Sequence, residues 1–255
     1  MKSGNELKFT DRAIIIVGDP GTRKTTLALH FPSPYFLDCD GNMAAPVEQT
    51  GIRDFFYDSA VRDDDGKLIH PADRFIHCVK CLNAAAIDPR IKTIIIDSLT
   101  TFSDIVLSEV LRQEFGSAAV TSAAKDAADF KTMRIQDWGK FAKLMKNFFS
   151  QLRTCGKTVV VIAHNSIDKD EADSRYKTFL NVPGQAKNTL SGLFTDCWNT
   201  VCIVTGIGPT LKHDFMVRTL PINDNDHRGI KSSFKNLDRI ASFASVVAEL
   251  KKLSQ

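Results

Sequence analysis

The sequence predicts an α/β fold with a mostly parallel sheet flanked by helices. Three observations carry that expectation. Apolar runs without polar alternation recur along the chain, as strands buried on both faces require. Helical stretches separate those runs, as the crossovers of a parallel sheet demand. The first run, Ile14-Ile15-Ile16-Val17, opens into a glycine-bounded turn and then a helix start at Lys24.

The elements follow in order. Strands are expected over Ala13–Val17, Tyr35–Asp38, Thr93–Ile96 and Thr158–Ala163, where short apolar runs end at Gly, Asp or His. Helices are expected over Lys24–Phe31, Pro71–Ile87, Thr101–Phe115 and Trp138–Thr154. Pro32 and Pro34 stop the first of them. Asp63–Gly66 reads as an acidic turn, and Gly116–Thr132 is small and polar. Asn165–Asn188 is polar and reads as a loop. Strands dominate from Asp196 to about Ser232, and Asp238–Leu253 closes the chain as a helix. The expected organisation is one domain over 1–255, with a tail at 1–10 and mobile loops at 116–137 and 165–188.

Composition narrows the function classes. Of 255 residues, 43% are hydrophobic and 25% charged, enough for a sizeable core and unlike a disordered chain. A net charge of +3 permits an anionic partner without demanding one. Met1–Arg12 is too polar for a signal peptide, and no run approaches the ~20 apolar residues of a membrane span. A soluble, intracellular protein without a membrane partner is therefore expected. The six cysteines do not form a disulfide framework. Cys78 and Cys81 make a single CxxC near His70 and His77. A zinc site usually needs two such pairs, so small buried side chains with surface histidines are the simpler reading.

Gly18-Asp19-Pro20-Gly21-Thr22-Arg23-Lys24-Thr25-Thr26 follows a strand and begins a helix, the context of a phosphate-binding loop. Gly18, Lys24 and Thr25 match the GxxxxGK[ST] pattern, while Arg23 stands at its second glycine. Successive backbone N–H groups can curl around the phosphates of ATP. Lys24 then reaches the β- and γ-phosphates, and the Thr25 hydroxyl ligates a magnesium ion, Mg²⁺. Arg23 removes a glycine that eases close backbone approach, but it can add a cation near the phosphates.

Ile94-Ile95-Ile96-Asp97-Ser98 places an acid at the carboxyl end of a buried strand, where parallel sheets bind ligands. Asp97 can accept from the water shell of Mg²⁺, or it can cap the following helix. Phe36-Leu37-Asp38-Cys39-Asp40-Gly41 offers a second acid. Asp40 can orient the water that attacks a γ-phosphate, with Asp38 behind it, or it can belong to a surface Asp-Gly turn.

On these residues the chain resembles RecA-like P-loop ATPases, above all the phage-encoded single-strand annealing ATPases of the Sak type. The phosphate loop, FLDCDG, TIIIDSLT, IQDWGK and VVVIAH before a polar stretch stand in that family's order, over roughly residues 10 to 253. The resemblance implies a RecA-like fold, ATP hydrolysis stimulated by DNA, and Mg²⁺. It makes Asp40 the catalytic acid, in a family that often has Glu there, and His164 a polar sensor of the γ-phosphate. Asn165 to Lys187 corresponds to a DNA-contacting loop, with Lys169, Arg175, Lys177 and Lys187 as its cations. Arg228 and Lys231 correspond to cations given to a neighbouring subunit's site. A homo-oligomeric ring or filament is implied, with single-stranded DNA and a single-strand-binding protein as partners, in the cytoplasm of a phage-infected bacterium.

Residues 125–157 carry eight Lys or Arg against three acids, a larger surplus than the chain's net +3. Trp138, Phe141, Met145, Phe148 and Leu152 fall on one helical face, with Lys140 and Lys143 opposite. The basic face is either simply solvated or a track for the phosphates of single-stranded DNA. Two other functions stay open: a P-loop ATPase that acts on protein partners, and a nucleotide-binding module that barely hydrolyses.

Overall fold

A computed structural model describes residues 12–116, 133–169, 176–184, 186–207, 210–221 and 230–253. Its centre is a mostly parallel sheet. Strand β1 (Ala13–Gly18) lies between β5 (Thr158–Lys169) and β7 (Asp196–Thr205). On the far side of β5 come β4 (Thr93–Asp97), β2 (Pro34–Asp38) and β3 (Phe56–Ser59), all parallel. Beyond β7 the sheet turns antiparallel through β8 (Lys212–Arg218) and β9 (Ile240–Ser242). Every residue of β1, β2 and β4 is buried, which explains the apolar runs Ile14–Val17, Tyr35–Leu37 and Ile94–Ile96. One strand, β5, separates the phosphate-loop strand from the strand that ends in Asp97. This is the RecA-like P-loop arrangement expected from the motifs, with C-terminal strands and a final helix.

Helices cover both faces. Helices α3 (Arg74–Ile87), α4 (Leu99–Phe115) and α5 (Ile135–Leu152) pack on one side, around Phe102, Phe141, Met145 and Phe149. The short α1 (Lys24–Ala28) and the final α7 (Phe243–Lys252) cover the other, around Leu27, Trp198, Val246 and Leu250. Helix α2 (Ala44–Thr50) follows β2, and α6 (Ala186–Thr189) follows the hairpin described below. Asp137, fully buried, accepts from the Arg134 backbone N–H at 3.1 Å, so α5 starts three residues before Trp138. Among the described residues no helix is long and apolar enough to cross a membrane.

Several expectations need correction. The segment read as a loop from Asn165 is a β-hairpin. Strand β5 continues to Lys169 and pairs antiparallel with β6 (Tyr176–Leu180), Asp168 opposite Lys177. Its polar sequence misled because only part of the hairpin packs on the core: Phe179 and Leu180 are buried while Ile167 is exposed. Helix α1 is shorter than expected, as the amides of His30 and Phe31 bond three residues back and tighten the last turn. Ile240–Ser242, expected within the closing helix, is strand β9, held by β8. Strand β3 and helix α2 were not foreseen. The tail at 1–10, most of the 116–137 stretch, Arg175 and Arg228 lie outside the described residues.

Candidate active site

The parallel register brings the predicted residues together at one edge of the sheet. Gly18 stands beside His164, and Asp38 beside Asp97. The carboxyl ends of β1, β5, β4 and β2 thus meet over a cavity of about 360 Å³, within the range of ligand pockets. Pro20, Gly21, Arg23, Lys24, Thr25 and Thr26 line one side of it; Asp40, Asp97 and His164 line the other.

The loop is tied down by hydroxyls. Thr22 Oγ1 donates to the Asp19 carbonyl at 2.7 Å and lies 2.7 Å from Thr200 Oγ1 on β7. A Cβ on Gly18 would stand 2.6 Å from the Thr200 carbonyl oxygen, so only glycine fits there. Lys24 Nζ donates to the carbonyls of Gly18 at 2.9 Å and Asp19 at 2.8 Å, curled over the loop. Burial pulls its ammonium below the ordinary value, against the attraction of Asp97, Asp19 and Asp40. Arg23 takes the left-handed conformation (φ 62°, ψ 31°) that a glycine would supply, and its guanidinium lies over the Phe215 ring.

Thr25 Oγ1 donates to Asp97 Oδ2 at 2.6 Å. The alternative of Asp97 as a helix cap fails, because Ser98 fills that role by accepting from the Thr101 amide at 3.4 Å. Burial pushes the Asp97 carboxyl up to about 7, with Asp40 and Asp38 adding to the rise. A hydroxyl beside a buried acid that Lys24 only partly compensates fits a small divalent cation, so Thr25 and Asp97 could hold Mg²⁺ here.

This chemistry has a pH signature. A carboxyl raised above its unfolded value favours the protonated fold, so its contribution to stability falls as pH rises from about 4 through about 7. A bound cation favours the carboxylate and reverses that loss. The increase in Tm caused by Mg²⁺ should therefore be larger at pH 8 than at pH 6, where affinity is expected to be roughly tenfold weaker. Thermal melts of the parent and of Asp97→Asn test this. An equal Mg²⁺ effect at both pH values in the parent would argue against Asp97 as the metal's acid.

Asp40 sits on the turn after β2. Its Oδ1 accepts from Ser98 Oγ at 3.2 Å and from Thr101 Oγ1, and its Oδ2 is 3.9 Å from His164 Nε2. Burial pushes this carboxyl up, yet His164, Thr101 and Ser98 together hold it below the usual carboxylate range. Asp38 accepts from the Gly41 amide at 2.7 Å and the Asp40 amide at 3.2 Å, so it shapes the turn. His164 Nδ1 is buried without a hydrogen-bond partner among the described residues, beside the phosphate pocket.

Sequence reasoning missed Ser98 and Thr101 as holders of Asp40, although both hydroxyls stand just after the Asp97 strand. It also missed Thr200 and Phe215, which only the tertiary fold brings to the loop.

The remaining candidates lie apart from this cluster. Lys231 pairs by its backbone with Cys197, near the start of β7 and away from this chain's own loop. Lys140 is ion-paired with Glu114 and stands 3.9 Å from Asp137, so it is less available to DNA than the sequence suggested. Lys143 is exposed, and Lys187 lies 5.2 Å from the Phe179 ring centroid. Lys169 and Lys177 fall on the two strands of the β5–β6 hairpin. In the CxxC, Cys81 Sγ is 3.4 Å from His77 Nε2 while Cys78 is buried. Among the described residues no group of three or more His, Cys, Asp or Glu is placed to hold a metal.

A family model described as an AAA domain matches residues 10–197, well over half of the chain. The chain belongs to the AAA domain family. The phosphate loop, Asp40, Asp97 and His164 of this AAA domain all fall within the matched residues. It is accordingly a P-loop ATPase domain, a class that binds nucleotide and usually Mg²⁺. No curated protein sequence matches it. Among solved structures it is similar to a KaiC-like protein from the hyperthermophilic archaeon Pyrococcus horikoshii OT3. That similarity has 13% identity and a TM-score of 0.43, over 85% of this chain and 83% of that one.

Proposed function

We propose that this AAA domain hydrolyses ATP and uses the cycle to handle single-stranded DNA, in annealing or recombination for a phage. In this reading Lys24 clamps the β- and γ-phosphates, and Asp40 orients and deprotonates the attacking water. Thr25 and Asp97 would hold Mg²⁺, which would supply neutralising charge to the phosphates. His164 senses the γ-phosphate through Asp40.

The observation that carries the coupling is the continuity of β5. The strand passes His164, 3.9 Å from Asp40, and runs on without a break to Lys169 in the hairpin. In this reading a change at the phosphate end passes along β5 to the hairpin, whose two strands include Lys169 and Lys177. Lys143, exposed on α5, is a further DNA-contacting cation in this reading, and so is Arg175. Arg228 and Lys231 act in trans in a homo-oligomeric ring or filament, and a single-strand-binding protein is a further partner. The setting is the cytoplasm of an infected bacterium.

Fluorescence anisotropy with a ~30–40-nucleotide strand tests the DNA reading, as that length spans several sites of ~4–16 nucleotides. With ATP and Mg²⁺, binding should be insensitive to base sequence. It should weaken with salt, at a log–log slope of about −0.7 per phosphate contacted. Lys143→Glu and Lys187→Glu should each weaken binding and flatten that slope. If the parent does not bind at low salt, the DNA reading fails and an ATPase acting on protein partners replaces it.

A further inference from the structure

Arg23 departs from the usual phosphate-loop glycine, and its side chain has a specific partner far along the chain. The guanidinium carbon lies 3.8 Å from the centroid of the Phe215 ring on β8. Both residues line the phosphate cavity. Both also line a second, more open recess of about 440 Å³, with Ile203, His213, Met216 and Phe243. The two cavities therefore share one wall, made by an arginine and an aromatic ring.

Their chemistries differ. The phosphate cavity offers Lys24, Thr25 and the loop backbone, which suit an anionic chain. The second recess offers aromatic faces, a guanidinium plane and aliphatic side chains, beside the polar His213, Asp214 and Ser242. Flat heteroaromatic groups stack on such surfaces, and a guanidinium stacks on rings as readily as it pairs with anions. A nucleoside triphosphate has one end of each kind.

We infer that Arg23 and Phe215 form the nucleobase-stacking shelf of the nucleotide site. The residue that displaces the motif glycine thereby contributes to binding the base instead of weakening the loop. The left-handed backbone at Arg23 lets one residue serve both purposes: it keeps the loop's turn and places the guanidinium on the ring. Stacking reads the breadth of a π-face rather than its edge, so the shelf favours purines over pyrimidines and separates adenine from guanine weakly.

The inference rests on the nucleotide-binding reading, and the test separates the two. Calorimetry would measure Mg²⁺-loaded ATP, CTP and inorganic tripolyphosphate binding to the parent, Arg23→Gly and Phe215→Leu. Both changes are at solvent-accessible positions, and Arg23→Gly restores the conventional loop. The parent should bind ATP more tightly than CTP or tripolyphosphate. Each variant should lose at least about five-fold in the ratio of ATP to tripolyphosphate affinity, the low end of base–aromatic stacking, and Phe215→Leu should do so with tripolyphosphate affinity unchanged. A simple phosphate loop predicts the opposite for Arg23→Gly, namely equal or tighter ATP binding. An unchanged ratio of ATP to tripolyphosphate affinity in both variants overturns the shelf, as does an equal loss for both ligands. If the parent binds neither ligand, the nucleotide reading itself fails.

Discussion

Lys24→Ala and Asp97→Ala will each take ATP turnover to background, a loss of at least about a thousand-fold. The two residues act on the same charge from opposite sides. Lys24 is the buried ammonium of the loop, held at 2.8–2.9 Å by two of its carbonyls and poised to exchange them for phosphate oxygens. Asp97 is the buried acid that faces Thr25, its charge disfavoured by burial and only partly offset by Lys24. Neither function can be taken over by a neighbour: among the described residues lining the cavity, the other cation is Arg23, which is engaged with Phe215. Folding should survive both changes. Burial opposes the charged form of Lys24, so removing it relieves a desolvation cost, and Asp97→Ala removes an acid whose ionisation is likewise disfavoured. Turnover in excess Mg·ATP, alongside thermal melts, checks both. A parent-like rate for either variant would contradict the site.

Asp40→Asn will keep nucleotide binding but slow hydrolysis by at least ~100-fold, the low end for loss of an acid–base group. Asparagine preserves the shape of the side chain and an oxygen that accepts from Ser98 and Thr101. What it removes is the negative charge that those hydroxyls and His164 stabilise below the usual range. A carboxylate held ionised and oriented can take a proton from water, and an amide cannot. Thr101→Val should act in the same direction with a smaller drop, since it loosens the carboxylate without discharging it. Single-turnover rates, read beside binding of a fluorescent nucleotide, separate the two steps. Parent-like hydrolysis by Asp40→Asn would move the water-orienting role to another residue.

How much could be read from the sequence depended on how local the signal was. Strand β1, Ile94–Ile96 of β4 and Val159–Ala163 of β5 are legible because they are buried and continuously apolar. Strand β3 is not, because Phe56-Tyr57-Asp58-Ser59 lies at the sheet edge and is only half-buried. The hairpin beyond His164 is not legible either, since its pairing is antiparallel and its burial does not follow its hydrophobicity: Ile167 is exposed while Phe179 and Leu180 are buried. The site divides the same way. Gly18, Lys24, Thr25 and Asp97 follow from short motifs on a strand end. The hold of Ser98 and Thr101 on Asp40 depends on β2 lying beside β4 in register, and the contact of Arg23 with Phe215 depends on an antiparallel strand far along the chain.

The most direct test of the account is the ATP turnover of the purified protein with and without a ~30–40-nucleotide single strand, which offers several ~4–16-nucleotide sites. Hydrolysis that rises on adding the strand, and that vanishes in Lys24→Ala, is the predicted result. Hydrolysis unaffected by DNA would contradict the proposed coupling through β5, and no hydrolysis under either condition would contradict the catalytic role given to Asp40.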